Sequence, residues 1–239
     1  MKQIIPILLF SALLTCSCNL INERVKGNGN VTTQERQASN FQNVQVSNAV
    51  NVVLMQESTF KVKVKADENL QRLIEVEVSG GTLHIRQQDN TSISPTEDVV
   101  VYVSMPKVND IDVSGASSLE VTGRLLCEEK VSIKASGASK AVVNLRAPEV
   151  SLEASGASEL IISGETKKAD VESTGASSVK APDLLAEEVK VTASGASKAS
   201  VFGSVKLDLD ASGASGIRYK GNGAATSNSS GASSIDKAD

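Results

Sequence analysis

Apolar and polar residues alternate with a period of two along most of the chain, and the alternation keeps step with a recurring tetrapeptide. Val131, Ile133 and Ala135 are interleaved with Ser132 and Lys134, Val150, Leu152 and Ala154 with Ser151 and Glu153, Val189, Val191 and Ala193 with Lys190 and Thr192, and Leu207, Leu209 and Ala211 with Asp208 and Asp210. Each run ends in Ser-Gly-Ala-Ser. The alternation resumes beyond it at Leu119 and Val121, Ala141 and Val143, Leu160 and Ile162, Val179 and Ala181, Ala199 and Val201, and Ile217 and Tyr219. Successive side chains of a strand point to opposite faces, so this pattern predicts strands with one buried face and not helices.

The tetrapeptide, once Thr-Gly-Ala-Ser, places its glycine at Gly115, Gly137, Gly156, Gly175, Gly195, Gly213 and Gly231, 18 to 22 residues apart. A flexible Gly/Ser tract would not hold its flanks in register with the motif, whereas a stacked-coil protein must. Each repeat reads as a strand, a tight turn and a second strand. A third short stretch, such as Arg146-Ala147-Pro148 or Gly164-Glu165-Thr166, closes the circuit. At about 3.3 Å per residue the perimeter is roughly 60 to 70 Å, one coil of a solenoid. The predicted fold is all-β, a right-handed parallel β-helix of 18–22-residue coils stacked about 4.8 Å apart, the hand following from that of parallel crossovers. At the corner the glycine is expected at positive φ and the alanine in a narrow interior angle. The serines are expected to bond their own turn or the serine one coil away.

Four segments follow. Residues 1–17 form a lipoprotein signal peptide: Lys2 precedes an apolar run, Ile4 to Leu14, too short for a permanent membrane helix. Of the two cysteines that follow, Cys18 is the expected lipidation site, because Ser17 before it is small while Thr15 before Cys16 is bulkier and β-branched. Two or three acyl chains at that position would anchor the protein durably, since a single chain binds only reversibly. Residues 18–26 form a tether. Residues 27–105 carry alternating runs without the full motif and are predicted to be larger, less regular coils, with a short helical turn at Asp67 to Ile74. Ser47-Asn48-Ala49 is a degenerate first copy in which Asn48 replaces glycine, flanked in register by Val44, Val46, Val52 and Leu54. Residues 106–239 hold the regular coils, and the apolar-poor stretch from Gly221 to Asp239 is expected to be a frayed C-terminal cap.

Loss of the signal peptide leaves a formal net charge of about −5 with no basic stripe, which argues against nucleic acid as a partner. With Cys18 taken by lipid, Cys127 has no intramolecular disulfide partner. His84 is the only histidine, so no two-histidine metal site can be built, and a catalytic triad would have to centre on it. It alternates with Leu83 and Ile85 and is expected to be structural. Cys127, beside Leu125 and Leu126, reads as an inert thiol. The acidic pairs Glu128-Glu129 and Glu187-Glu188 have the composition of a glycosidase dyad but precede strands, where solvated charges are ordinary. The serine stripe could meet a periodic ligand such as a glycan, or serve only its own corner. No catalytic, cofactor-binding or metal-binding residue is therefore assigned.

The run Gly27-Asn28-Gly29-Asn30, then Phe41-Gln42-Asn43-Val44-Gln45-Val46-Ser47, then the Ser-Gly-Ala-Ser ladder resembles the bacterial family of auto-transporter adhesins with a head GIN domain, over nearly all of the mature chain. The resemblance implies a β-helical fold, export and a role in adhesion. One departure stands out: nothing after Gly213 has the series of ten-residue amphipathic strands that a membrane barrel needs. The combined expectation is a non-enzymatic binding or scaffold lipoprotein of the cell envelope, lipid-anchored at the periplasmic or surface face of the outer membrane. Its expected partners are the membrane, through the lipid, and an envelope protein or glycan. The competing reading is a polysaccharide-binding or polysaccharide-cleaving β-helix protein.

Overall fold

The computed structural model describes residues 24–238. The signal peptide, Cys16, Cys18 and most of the tether lie outside the described residues.

The chain is a parallel β-solenoid. Buried residues of successive coils form straight ladders, and on the first side the ladder runs Leu83, Val44, Ile111, Ile133, Leu152, Val171, Val191, Leu209 and Ser227. On the second side it runs Val101, Val52, Leu119, Ala141, Leu160, Val179, Ala199, Ile217 and Ile235. Leu83 to Leu209 and Val101 to Ile217 are all buried. The predicted inward positions are therefore the observed ones, and they share one continuous core.

The corners differ from expectation in one respect. The glycines of the motif do take positive φ, between 69° and 76°. The motif's alanine, however, is exposed in every copy and its second serine points inward, with Ser117, Ser139, Ser158, Ser177, Ser197 and Ser215 all at most 3% exposed. Each hydroxyl from Ser139 onward donates to a backbone carbonyl of the coil below, for example Ser139 Oγ to Val113 O at 2.8 Å, Ser158 to Ala135 at 3.0 Å and Ser197 to Ser173 at 2.7 Å. The serines thus bond the neighbouring coil's backbone and not its serine. A buried hydroxyl without a partner is costly, and among the described residues every buried side-chain polar atom has one. At Gly195 a Cβ would lie 2.8 Å from the carbonyl oxygen of Gly175, so contact between coils and positive φ both require glycine. Ser173, which replaces the usual alanine before Thr-Gly-Ala-Ser, is fully buried and bonds Ser177 at 2.9 Å.

The N-terminal region departs from simple coiling. Asn48 takes φ 59° in the glycine's place and lies beneath Gly115, but Ala49 also takes positive φ, 61°. The coil that carries them, Asn43–Ser47 and Asn51–Gln56, is sandwiched out of chain order between the strands Asp110–Val113 and Ser118–Thr122 on one side and Thr82–Gln87 and Val100–Met105 on the other. Residues 57–105 therefore double back across the first coil as a head. Within the head three pairs are antiparallel rather than coil upon coil, Val31–Arg36 on Lys61–Asp67, Lys61–Asp67 on Val100–Met105, and Ile74–Ser79 on Thr82–Gln87, while Arg24–Lys26 pairs with Ser92–Ser94 in parallel. The anticipated helical turn is the 3-10 helix Glu68–Leu73.

The Gly27–Asn30 run latches onto that helix. The Asp67 carboxylate accepts from Gly29 N at 2.8 Å, Thr96 Oγ1 at 2.6 Å and Thr96 N at 2.9 Å, while Asn69 bonds Asn28 N and Lys26 O. A Cβ at Gly27 would fall 2.3 Å from the Asp67 carboxylate. At the other end the chain does not fray. Ala224–Ser229 and Ser234–Lys237 form one more ordered coil, whose inward positions Ala225, Ser227 and Ser229 are small or polar and tolerate water.

Candidate binding groove

The third side of the solenoid carries its main concavity, and unequal coil lengths create it. The coil between Gly115 and Gly137 spans 22 residues, the next two 19 each, and the one between Gly175 and Gly195 spans 20. The extra residues fall on the third side, around Leu125–Leu126 in the first of these and between Lys180 and Asp183, opposite Ile161–Ser163 of the shorter coil, in the last. Two short coils are left as a floor between two raised ones. The resulting groove, of about 660 Å³, is lined among others by Leu126, Arg146, Pro148, Glu165, Leu185 and Phe202. A smaller recess of about 360 Å³ adjoins it and shares Leu126, Cys127 and Glu128.

The side chains of the groove are held from behind. Gln56 accepts from Leu126 N at 2.7 Å and donates to Leu126 O at 3.1 Å, fixing that backbone so that the leucine faces water. Glu165 sits between two arginines, 3.4 Å from Arg124 and 3.8 Å from Arg146, and Arg124 also bonds Asn144 at 3.0 Å. Beside the groove, Lys130, Glu149, Lys168, Glu188 and Lys206 form a column of alternating sign on successive coils, with Lys130–Glu149 at 2.7 Å and Lys168–Glu188 at 3.8 Å. Lys130 holds the Glu149 carboxyl below the usual range.

The residues singled out for chemistry are dispersed. Glu128 and Glu187 do line the same groove, but on coils three steps apart, about 14 Å along the stack. A glycosidase pair stands roughly 5 to 9.5 Å apart. Glu188 belongs to the ion column and Glu129 to the smaller recess. Cys127 is half-buried, its Sγ 3.6 Å from Val108 O, and burial pushes the thiol's pKa up, the reverse of what a nucleophile needs. His84 lies on the open first side, with Nδ1 2.7 Å from Gln45 Oε1 and Nε2 3.2 Å from Ser79 Oγ. The serine–histidine contact is the front half of a triad. The third member is an uncharged amide, which cannot balance an imidazolium as a carboxylate does. As for the serine stripe, the second serines are spent inside, and the corner shows solvent its glycines and alanines beside a half-exposed first serine or threonine.

Fold and surface together define a stacked-coil architecture with broad outer faces and a groove on its third side. The profile of the family described as "putative auto-transporter adhesin, head GIN domain" matches residues 40–223, and the chain belongs to that family. No curated protein matches it. Among solved structures it is similar to a "putative adhesin" of Bacteroides fragilis (18% identity, TM-score 0.81, covering 90% of this chain and 100% of that one). It is also similar to a "putative lipid binding protein" of Parabacteroides distasonis (20%, 0.77, 91% and 100%) and a "putative adhesin" of Parabacteroides merdae (20%, 0.72, 90% and 99%). At these identities the likeness is one of fold.

Proposed function

We propose that the protein is a non-enzymatic binding scaffold of the bacterial envelope, an adhesin in the broad sense, tethered by lipid on Cys18 and presenting its solenoid sides to a partner. The observation that carries this reading is the third side: a groove with exposed leucines, backed by coil-to-coil bonding, in which Glu128 and Glu187 stand too far apart to act as a pair and Glu165 is held between two arginines. The chain supplies an apolar run and Ser17 ahead of Cys18 for anchoring. The polysaccharide reading finds less support, because Phe202 is the one aromatic side chain lining the groove.

Metabolic labelling with a fatty-acid analogue, followed by envelope fractionation, tests the anchored state. Label on the wild type, and its loss together with release of Cys18→Ala from the membrane fraction, is the expected result. Label that persists in Cys18→Ala and vanishes in Cys16→Ala would move the anchor, and no label at all would remove it.

A further inference from the structure

The outward column on the third side reads Leu126, Arg146, Glu165, Leu185 on four successive coils, in register through the pairs Leu126–Arg146, Arg146–Glu165 and Glu165–Leu185. The end members are apolar and open to solvent, at 60% and 52% exposure, and the side chains of the middle two are 69% and 48% exposed. Over these four positions the order is apolar, charged, charged, apolar from either end, with only the sign of the charge inverting, and half-buried Phe202 continues the column beyond Leu185. Such a column is complementary to a reversed copy of itself. A two-fold axis lying in the face along the strand direction, midway between Arg146 and Glu165, sets Leu126 against Leu185 of a second copy twice, and Arg146 against Glu165 of the second copy twice.

The flanking column agrees in part. Arg124, two residues before Leu126, would face Asp183 of the second copy, two before Leu185, while Glu128 would face Glu187 of the second copy, a like-charged pair at the solvated rim where salt screens it. An axis parallel to the stack would instead put Arg146 on Arg146 and Glu165 on Glu165, at a cost of several kcal/mol, so charge selects the reversed arrangement.

We propose that the third side pairs with a second copy of this chain in reversed orientation; the inference rests on the scaffold reading above and names its partner. Reversal points the two N-terminal ends in opposite directions. Two copies each held at a membrane near the N-terminus would then stand on facing membranes, as homophilic adhesion requires, and not side by side on one.

Sedimentation velocity on the mature chain carrying Cys18→Ser, over a range of concentrations, tests the pairing. The wild type should show a monomer–dimer equilibrium. Arg146→Glu and Glu165→Arg should each weaken it by at least about ten-fold, since symmetry makes two like-charged contacts, and the double reversal should restore it. Leu126→Asp, on an exposed side chain, should abolish the dimer with the melting temperature unchanged. Orientation is read by disulfides in a Cys127→Ser background: Leu126→Cys mixed with Leu185→Cys should cross-link, and Leu126→Cys alone should not. A wild type that stays monomeric, a double reversal that folds but fails to pair, or preferential linkage of position 126 to itself would each overturn the proposal. None of these results touches the lipid label, so the anchored-scaffold reading fails or stands separately.

Discussion

A single hydroxyl decides the shape of each corner. The second serine of the motif turns inward and caps a carbonyl of the coil below, so Ser197→Ala should cost about 1 kcal/mol, the net worth of one buried hydrogen bond, while Ala196→Ser on the exposed neighbour should be close to neutral in a thermal melt. Gly195→Ala should be worse than either, because it forces positive φ on alanine and drives a Cβ against Gly175 O. The inward serine was legible in the sequence. The apolar positions stand two, four and six before the glycine and four and six after it in most copies, all even offsets, so the serine at plus two belongs to the inner set and the alanine at plus one to the outer. Expecting the alanine inside ignored that parity in favour of its small size.

The head depends on one carboxylate in the same way. Hydrogen bonds from the Thr96 hydroxyl and amide, followed by Gly29 N, hold Asp67 below the ordinary carboxylate range. A depressed pKa means that this stabilisation is complete above the unfolded value and is lost as pH falls through the folded one. The melting temperature should therefore decline on acidification below the normal carboxylate range, with Glu149 and Glu159, also held low by lysines, adding to the slope. Asp67→Asn should lower stability at neutral pH and flatten part of that decline; an unchanged profile would mean that the latch contributes nothing.

At the scale of the strand, alternation is the governing pattern. Val191 is fully buried between Val171 and Leu209, and Val191→Asp puts an unpaired charge into the core at a cost of several kcal/mol. Lys190→Asp faces solvent but joins Asp170 and Asp208 in one column, so it should cost up to about 1 kcal/mol through like-charge contact. Chemical denaturation of the two variants measures the gap, and equal small losses would contradict the inside–outside assignment. The strands of the regular coils were legible because each repeats the same register against its neighbour. The antiparallel strands of the head were visible as strands, yet their partners were not. Which strand meets Lys61–Asp67 is settled by non-local contacts with Val31–Arg36 and Val100–Met105 that leave no period in the sequence. The role of the Gly27–Asn30 run, to clasp Asp67 and Asn69 some forty residues away, was hidden for the same reason.

For the whole molecule, the groove follows from how the coils differ and not from what they share. The repeat specifies the core, whereas the groove arises because a 22-residue and a 20-residue coil flank two of 19. The signal was present in the uneven spacing and in the doublets Leu125-Leu126 and Leu184-Leu185, each of which sends one leucine inside and one out. Only stacking reveals that the two outward leucines share a face. The same stacking separates Glu128 from Glu187 and leaves His84 on another side with an amide partner. The central claim, that this surface binds and does no chemistry, is tested most directly by assaying the purified mature protein for turnover against a panel of glycans, esters and peptides. The account predicts no turnover, with any trace signal surviving replacement of His84, Cys127, Glu128 and Glu187 by alanine. Reproducible turnover abolished by one of those four substitutions would contradict it.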